Sequence, residues 1–188
     1  MGTGDRAARP DRRTACRVPE AAETVSAVAE SNVSGPNTDW RANLDRLGLK
    51  VPEVVAPVAA YLPAVRSGAQ VYTSGQLPFV AGELTAVGKV GAEVSVEEAV
   101  LAARWCALNA LAAVHDLVGL DEVVRIVKVV GFVASAPGFT DQPLVINGAS
   151  EFLGEVFGAA GAHARSAVGV FELPKNTPVE VELIAEVR

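Results

Sequence analysis

Arg165 stands in a stretch otherwise made of Ala, Ser, Val, Gly and Phe, where a guanidinium must find an anion or a carbonyl. Its fork of donors matches a carboxylate at two points, and the competing explanation is a structural ion pair with Glu180 or Glu182. Glu180, Glu182 and Glu186 fall on one face of a period-2 segment and Val179, Val181, Leu183, Ala185 and Val187 on the other, the usual pattern of a solvated strand face. Tyr61 could stack on or hydrogen-bond to a ligand, or belong to the core. Ser74 and Gly75 offer a hydroxyl and a close backbone approach, and a strand-ending turn explains them equally well. Asn147, on an otherwise apolar helix, could contact a ligand or cap a neighbouring strand. His115 and His163 are far apart and lack spaced partners, so no metal site is expected; His115 reads as surface, and His163, two residues before Arg165, could tune the surroundings of that arginine or belong to the polar surface.

The elements that must position these residues are legible in outline. Trp40, Leu44 and Leu47 share a face of a short helix starting near Thr38, with Asn37 or Thr38 as N-cap and Gly48 as its stop. Two extended runs, Tyr61 to Val65 and Val71 to Ser74, flank a turn at Arg66 to Gln70, and Gly75 and Pro78 end the second. Ser95-Val96-Glu97-Glu98 is a capping box, and the apolar period behind it predicts a helix to Val118, closed by Gly119. Val123 to Ser135 is β-branched and nearly continuous in apolar character. A second helix spans about Gln142 to Phe157, with Pro143 tolerated in its first turn. Two last strands, Ser166 to Leu173 and Val179 to Val187, follow. The order ββ-α-β-α-ββ predicts an α+β domain, one mixed sheet with two helices on a single face.

Bulk properties narrow the function classes. The chain of 188 residues suits one domain and a tail: residues 1–37 lack any period and are expected to be disordered, and 38–188 form the domain, with 38–48 as an accessory helix. The net charge is −6. Five arginines among residues 1–38 are balanced by Asp5, Asp11, Glu20, Glu23 and Glu30, so the whole excess lies in 39–188, which argues against a nucleic-acid partner. No apolar run is long enough for a membrane span and no secretory pattern is read, so a cytoplasmic address is expected. Cys16 and Cys106 alone support neither a disulfide framework nor a zinc cluster.

Ala164-Arg165-Ser166-Ala167-Val168-Gly169-Val170, then Leu173-Pro174 and Val179-Glu180-Val181-Glu182, resembles the C-terminal signature of the Rid (reactive intermediate deaminase, YjgF-type) family. Ser74-Gly75-Gln76-Leu77-Pro78 resembles its Ser-Gly-Gln segment, and Asn147 falls where the family has an Asn. The resemblance covers about residues 55–187 and implies a chorismate-mutase-like fold and a homotrimer with clefts between subunits. It also implies hydrolysis of 2-imino and enamine acids to 2-keto acids and ammonia without metal or organic cofactor. Arg165 would hold the substrate carboxylate there, with Tyr61, Ser74, Gly75 and Asn147 as further contacts, and the carboxylate of Glu180 would orient or deprotonate the attacking water. Leu62 and Ala167 stand where the archetype has Ser and Cys, which favours divergence. The alternatives are a non-catalytic small-carboxylate binder or regulator and a biosynthetic enzyme acting on a larger imine. An endoribonuclease is disfavoured by the acidic domain.

Overall fold

The computed structural model describes Met1, residues 39–54 and residues 60–188. The expected tail, and the N-cap at Asn37 or Thr38, lie outside the described residues. Asp39 caps α1 (Trp40–Arg46), its carboxylate accepting from the backbone N–H groups of Arg41 and Ala42. The cap therefore stands one or two residues later than the sequence suggested. Trp40 and Leu44 are the buried residues of this helix.

The first hairpin pairs β1 (Ala64–Ser67) with β2 (Gln70–Thr73). Its turn is tighter than expected, only Gly68 and Ala69, because Gly68 takes a left-handed φ of 60°. A minute hairpin, β3 (Phe79–Val80) with β4 (Glu83–Leu84), was not foreseen. Next comes α2 (Val96–Val118), whose capping box is present in full: Glu98 N–H donates to Ser95 Oγ, and Ser95 N–H to the Glu98 carboxylate. β5 (Val123–Ala134), α3 (Gln142–Phe157), β6 (Ala164–Val170) and β7 (Val179–Val187) complete the chain. β6 begins two residues earlier than expected and stops before Phe171, since its backbone pairs in parallel with Lys128 to Ala134 of β5.

The sheet runs β1-β2-β7-β5-β6, antiparallel except for β5 with β6. It is thus the mixed sheet of an α+β fold. On one face, Val129, Val133, Val179, Val181, Leu183 and Ala185 share a buried cluster with both long helices. Glycines set how close these layers come. A Cβ at Gly148 would overlap the backbone carbonyl of Val100, and one at Gly131 would overlap the side chain of Ile146, so α3 lies directly against α2 and β5. Cys106 is buried in α2, its thiol pointing at the carbonyl of Val179 and pushed well above its ordinary pKa by that burial.

The opposite face carries Tyr72, Lys128, Val130, Phe132, Ser166, Val168, Glu180, Glu182 and Ile184, none of them fully buried by the described residues. Register places Phe132 between Glu180 and Val168, and Val130 between Glu182 and Ser166. Among the described residues no helix is long and apolar enough to cross a membrane.

Candidate functional site

Arg165 sits opposite Val129 in the parallel β5–β6 ladder. Val129 is buried toward the helices, so Arg165 points to that side and meets α3. Its Nη1 donates to Asn147 Oδ1 at 2.8 Å and to Ser150 Oγ at 3.1 Å. Those two bonds use both hydrogens of Nη1. Nε and Nη2 have no partner among the described residues, and no enclosed side-chain nitrogen or oxygen there lacks one, so this edge of the guanidinium meets solvent. Two parallel N–H groups on one edge are the geometry that receives a carboxylate bidentately. The competing ion pair with Glu180 or Glu182 is not formed. Among the described residues the ion pairs are Arg41 with Asp121, Lys89 with Glu172 and Arg104 with Glu155.

Asn147 is therefore neither a strand cap nor solvent-facing; it orients Arg165. Ser150, three residues further along the same face of α3, was missed, although the i, i+3 spacing from Asn147 was the signal available. Of the two readings of His163, polar surface does not hold: it is half-buried and bonded through both ring nitrogens, to Ser150 Oγ and to the carbonyl of Gly161. His115 is exposed but not idle: its Nδ1 accepts from the backbone N–H of Leu120, and Trp40 packs edge-on at 5.7 Å.

The remaining candidates assemble elsewhere. Past the end of β2 the chain continues alongside β7, Gln76 exchanging backbone hydrogen bonds with Val181 at 2.8 and 3.0 Å. This lays Gly75 against Glu180, so closely that a Cβ on Gly75 would overlap the Glu180 carboxylate. Ser74 Oγ donates to the carbonyl of Leu62 at 2.7 Å, and its N–H to that of Pro63 at 2.9 Å, which fixes the segment following Tyr61. Tyr61 itself is 49% exposed, so the core explanation for it fails. Glu180 is half-buried. Burial first, and the neighbouring Glu182 second, raise its carboxyl above the ordinary carboxylate value.

The candidate residues thus fall into two groups. Arg165 and His163 meet Asn147 and Ser150 of α3; Ser74, Gly75 and Glu180 gather around the other face and end of the sheet. Arg165 and Glu180 lie on opposite faces, opposite Val129 and Phe132 of β5. A groove of about 630 Å³ beside Leu62, lined by Val51, Pro52, Glu53, His115 and Asp116 among others, includes neither. Among the described residues no cluster of three or more His, Cys, Asp or Glu could hold a metal ion.

The family model described as "YjgF/chorismate_mutase-like, putative endoribonuclease" matches residues 41–187, nearly the whole of the described fold. The chain belongs to this YjgF/Rid family. A curated relative, Protein TCP17 of Trypanosoma cruzi, is 47% identical over 149 residues, which are 77% of this chain and 92% of that protein. Among solved structures, the protein Atu1372 of Agrobacterium tumefaciens, described as of unknown function, superimposes with a TM-score of 0.75 at 42% identity, over 79% of this chain and 92% of the other. The YjgF gene product of E. coli does so with a TM-score of 0.56 at 30% identity, over 72% and 94%.

Proposed function

We propose that the protein is a hydrolytic deaminase of reactive 2-imino and enamine acids, giving 2-keto acids and ammonia, in clefts between the subunits of a homotrimer. The observation that carries the proposal is the guanidinium of Arg165, braced on one nitrogen by Asn147 and Ser150 with its Nε–Nη2 edge left open. A substrate carboxylate on that edge fixes the imine carbon one bond away. Because Glu180 faces the other side of the sheet, a neighbouring subunit must supply it, together with Ser74, Gly75 and Tyr61. That requirement supports the trimer.

An enamine first tautomerises to the imine. Water then adds through oxygen to the C=N carbon while one of its protons passes to Glu180 and on to nitrogen, giving the carbinolamine; the hydroxyl proton then passes by way of Glu180 to the same nitrogen, the C–N bond breaks, and ammonia leaves as the carbonyl forms. A carboxylate with a raised pKa is the stronger base for the first transfer and still an adequate acid for the second. Positioning supplies most of the remaining rate, since imine hydrolysis in water is already fast. The net acidity of residues 39–188 speaks against an RNA substrate.

The test is hydrolysis of a freshly generated imino acid. Arg165→Ala is expected to lower kcat/KM by about 30-fold or more, the loss of a desolvated charge-assisted contact costing about 2–5 kcal/mol. Arg165→Lys should recover only part of it, because an ammonium cannot make a planar two-point contact. Glu180→Gln should lower kcat more than it weakens pyruvate binding. A folded wild-type protein that binds pyruvate through Arg165 but accelerates no hydrolysis would instead establish a non-catalytic carboxylate-binding or regulatory protein.

A further inference from the structure

The brace on Arg165 does not stop at Ser150. Ser150 Oγ lies 3.0 Å from Nε2 of His163, and Nδ1 of His163 lies 2.6 Å from the carbonyl oxygen of Gly161. A carbonyl only accepts, so Nδ1 carries a hydrogen, and in the Nδ1–H tautomer Nε2 presents a lone pair. The donor that meets it is the Ser150 hydroxyl. That hydroxyl has one hydrogen, and once it is committed to His163 the oxygen's lone pairs are left for the N–H of Arg165. The anchor is firm: Gly161 is buried in a 3-10 turn, and a Cβ there would overlap the carbonyl of Leu153.

We propose that His163 is a positioning residue for carboxylate recognition. Through Ser150 it sets the direction of the hydroxyl, and the hydroxyl with Asn147 sets the rotation of the guanidinium, so that the Nε–Nη2 edge faces the ligand. The role rests on Arg165 being the carboxylate grip proposed above. The chain Gly161 carbonyl, His163, Ser150, Arg165 is continuous and needs no residue from another subunit.

Pyruvate binding to the full-length protein, followed by calorimetry or NMR titration, tests it. His163→Leu and Ser150→Ala should each weaken binding on the order of tenfold, the worth of one hydrogen bond to a charged group. His163→Asn, which can keep the contact to Gly161 but does not reach Ser150, should weaken it equally. His163→Gln, whose amide reaches the place of Nε2, should stay within about threefold of wild type. The Ser150→Ala, His163→Leu double variant should bind no more weakly than either single one, as links of one chain do. A nitrogen-15 spectrum of the wild type should show the Nδ1–H tautomer. If Arg165→Ala abolishes pyruvate binding while His163→Leu and Ser150→Ala, folded by circular dichroism, bind as wild type does, His163 has no such role and the arginine grip stands. Additive losses in the double variant, or failure of Gln to outperform Asn, overturn it as well. Pyruvate binding unaffected by Arg165→Ala overturns the grip and the positioning role together.

Discussion

Glu180 is a carboxylate partly withdrawn from water, beside a second carboxylate and against a glycine that leaves room for it. Its raised folded-state pKa means that the native state binds its proton more tightly than the unfolded chain does. The stability it contributes is present below the ordinary carboxylate pKa and is lost as pH rises through the folded value. Chemistry runs the other way: kcat should climb with pH over that same range, because the base must be ionised, and Glu180→Gln should flatten the acidic limb while removing the stability slope. Paired kcat and melting profiles from pH 4 to pH 8 check both signs. Gly75→Ala gives a sharper probe. The clash it creates is with the mobile end of a side chain, so Glu180 should swing aside, lowering kcat several-fold while the melting temperature changes little. Arg165, Glu180, Ser74, Gly75 and Asn147 were all singled out from residue type and motif. Ser150 was not, and His163 stood open between tuning the site and polar surface, because what gives them meaning is the juxtaposition of α3 with the start of β6, a tertiary fact that neither period nor composition encodes.

At the scale of elements, α3 was bounded correctly because Pro143 and the helical period agree, and β7 because its alternation is unbroken over nine residues. The β3–β4 hairpin escaped because two-residue strands carry too few side chains for a period of two to register. The cap at Asp39 escaped because Asn37, Thr38 and Asp39 are all good N-caps and only the geometry chooses among them. The helix pair depends on a feature hidden in a single letter. Gly148→Ala must push α3 away from the backbone of Val100, which should cost roughly 1–3 kcal/mol of stability, as overpacking does. Since Asn147 and Ser150 flank that glycine, the same substitution should also loosen pyruvate binding. Retention of both wild-type stability and wild-type affinity would show that the close helix approach is not what seats the arginine.

For the whole molecule, Arg165 and Glu180 on opposite faces of one sheet make assembly the central question. The uncovered face holds Phe132, Val130, Val168 and Ile184 beside its charged residues, with Val168 44% exposed, which suits burial against further copies of the chain. Light scattering coupled to size exclusion should give a trimer with an interface above about 2,000 Å² in total, and replacing Val168 with Asp should yield monomers that have lost activity while keeping their helical content. A stable wild-type monomer at micromolar concentration would sink the intersubunit cleft. The mixed sheet and its two covering helices could be read from the order of elements, but the number of copies could not, because a strand face that buries itself against another subunit alternates just as a wetted one does.

β7 occupies the middle of the sheet, between β2 and β5, although of the described elements it is the last made. During synthesis on the ribosome, the hairpin β1–β2 and the unit β5–α3–β6 emerge first and have no strand to join them. Their pairing edges stay open until residues 179–187 clear the exit tunnel, so the domain must close in one late, long-range step. A nascent chain arrested before Val179 should therefore bind chaperones and remain protease-sensitive, and the same chain released with β7 complete should become resistant within the folding time of a single domain.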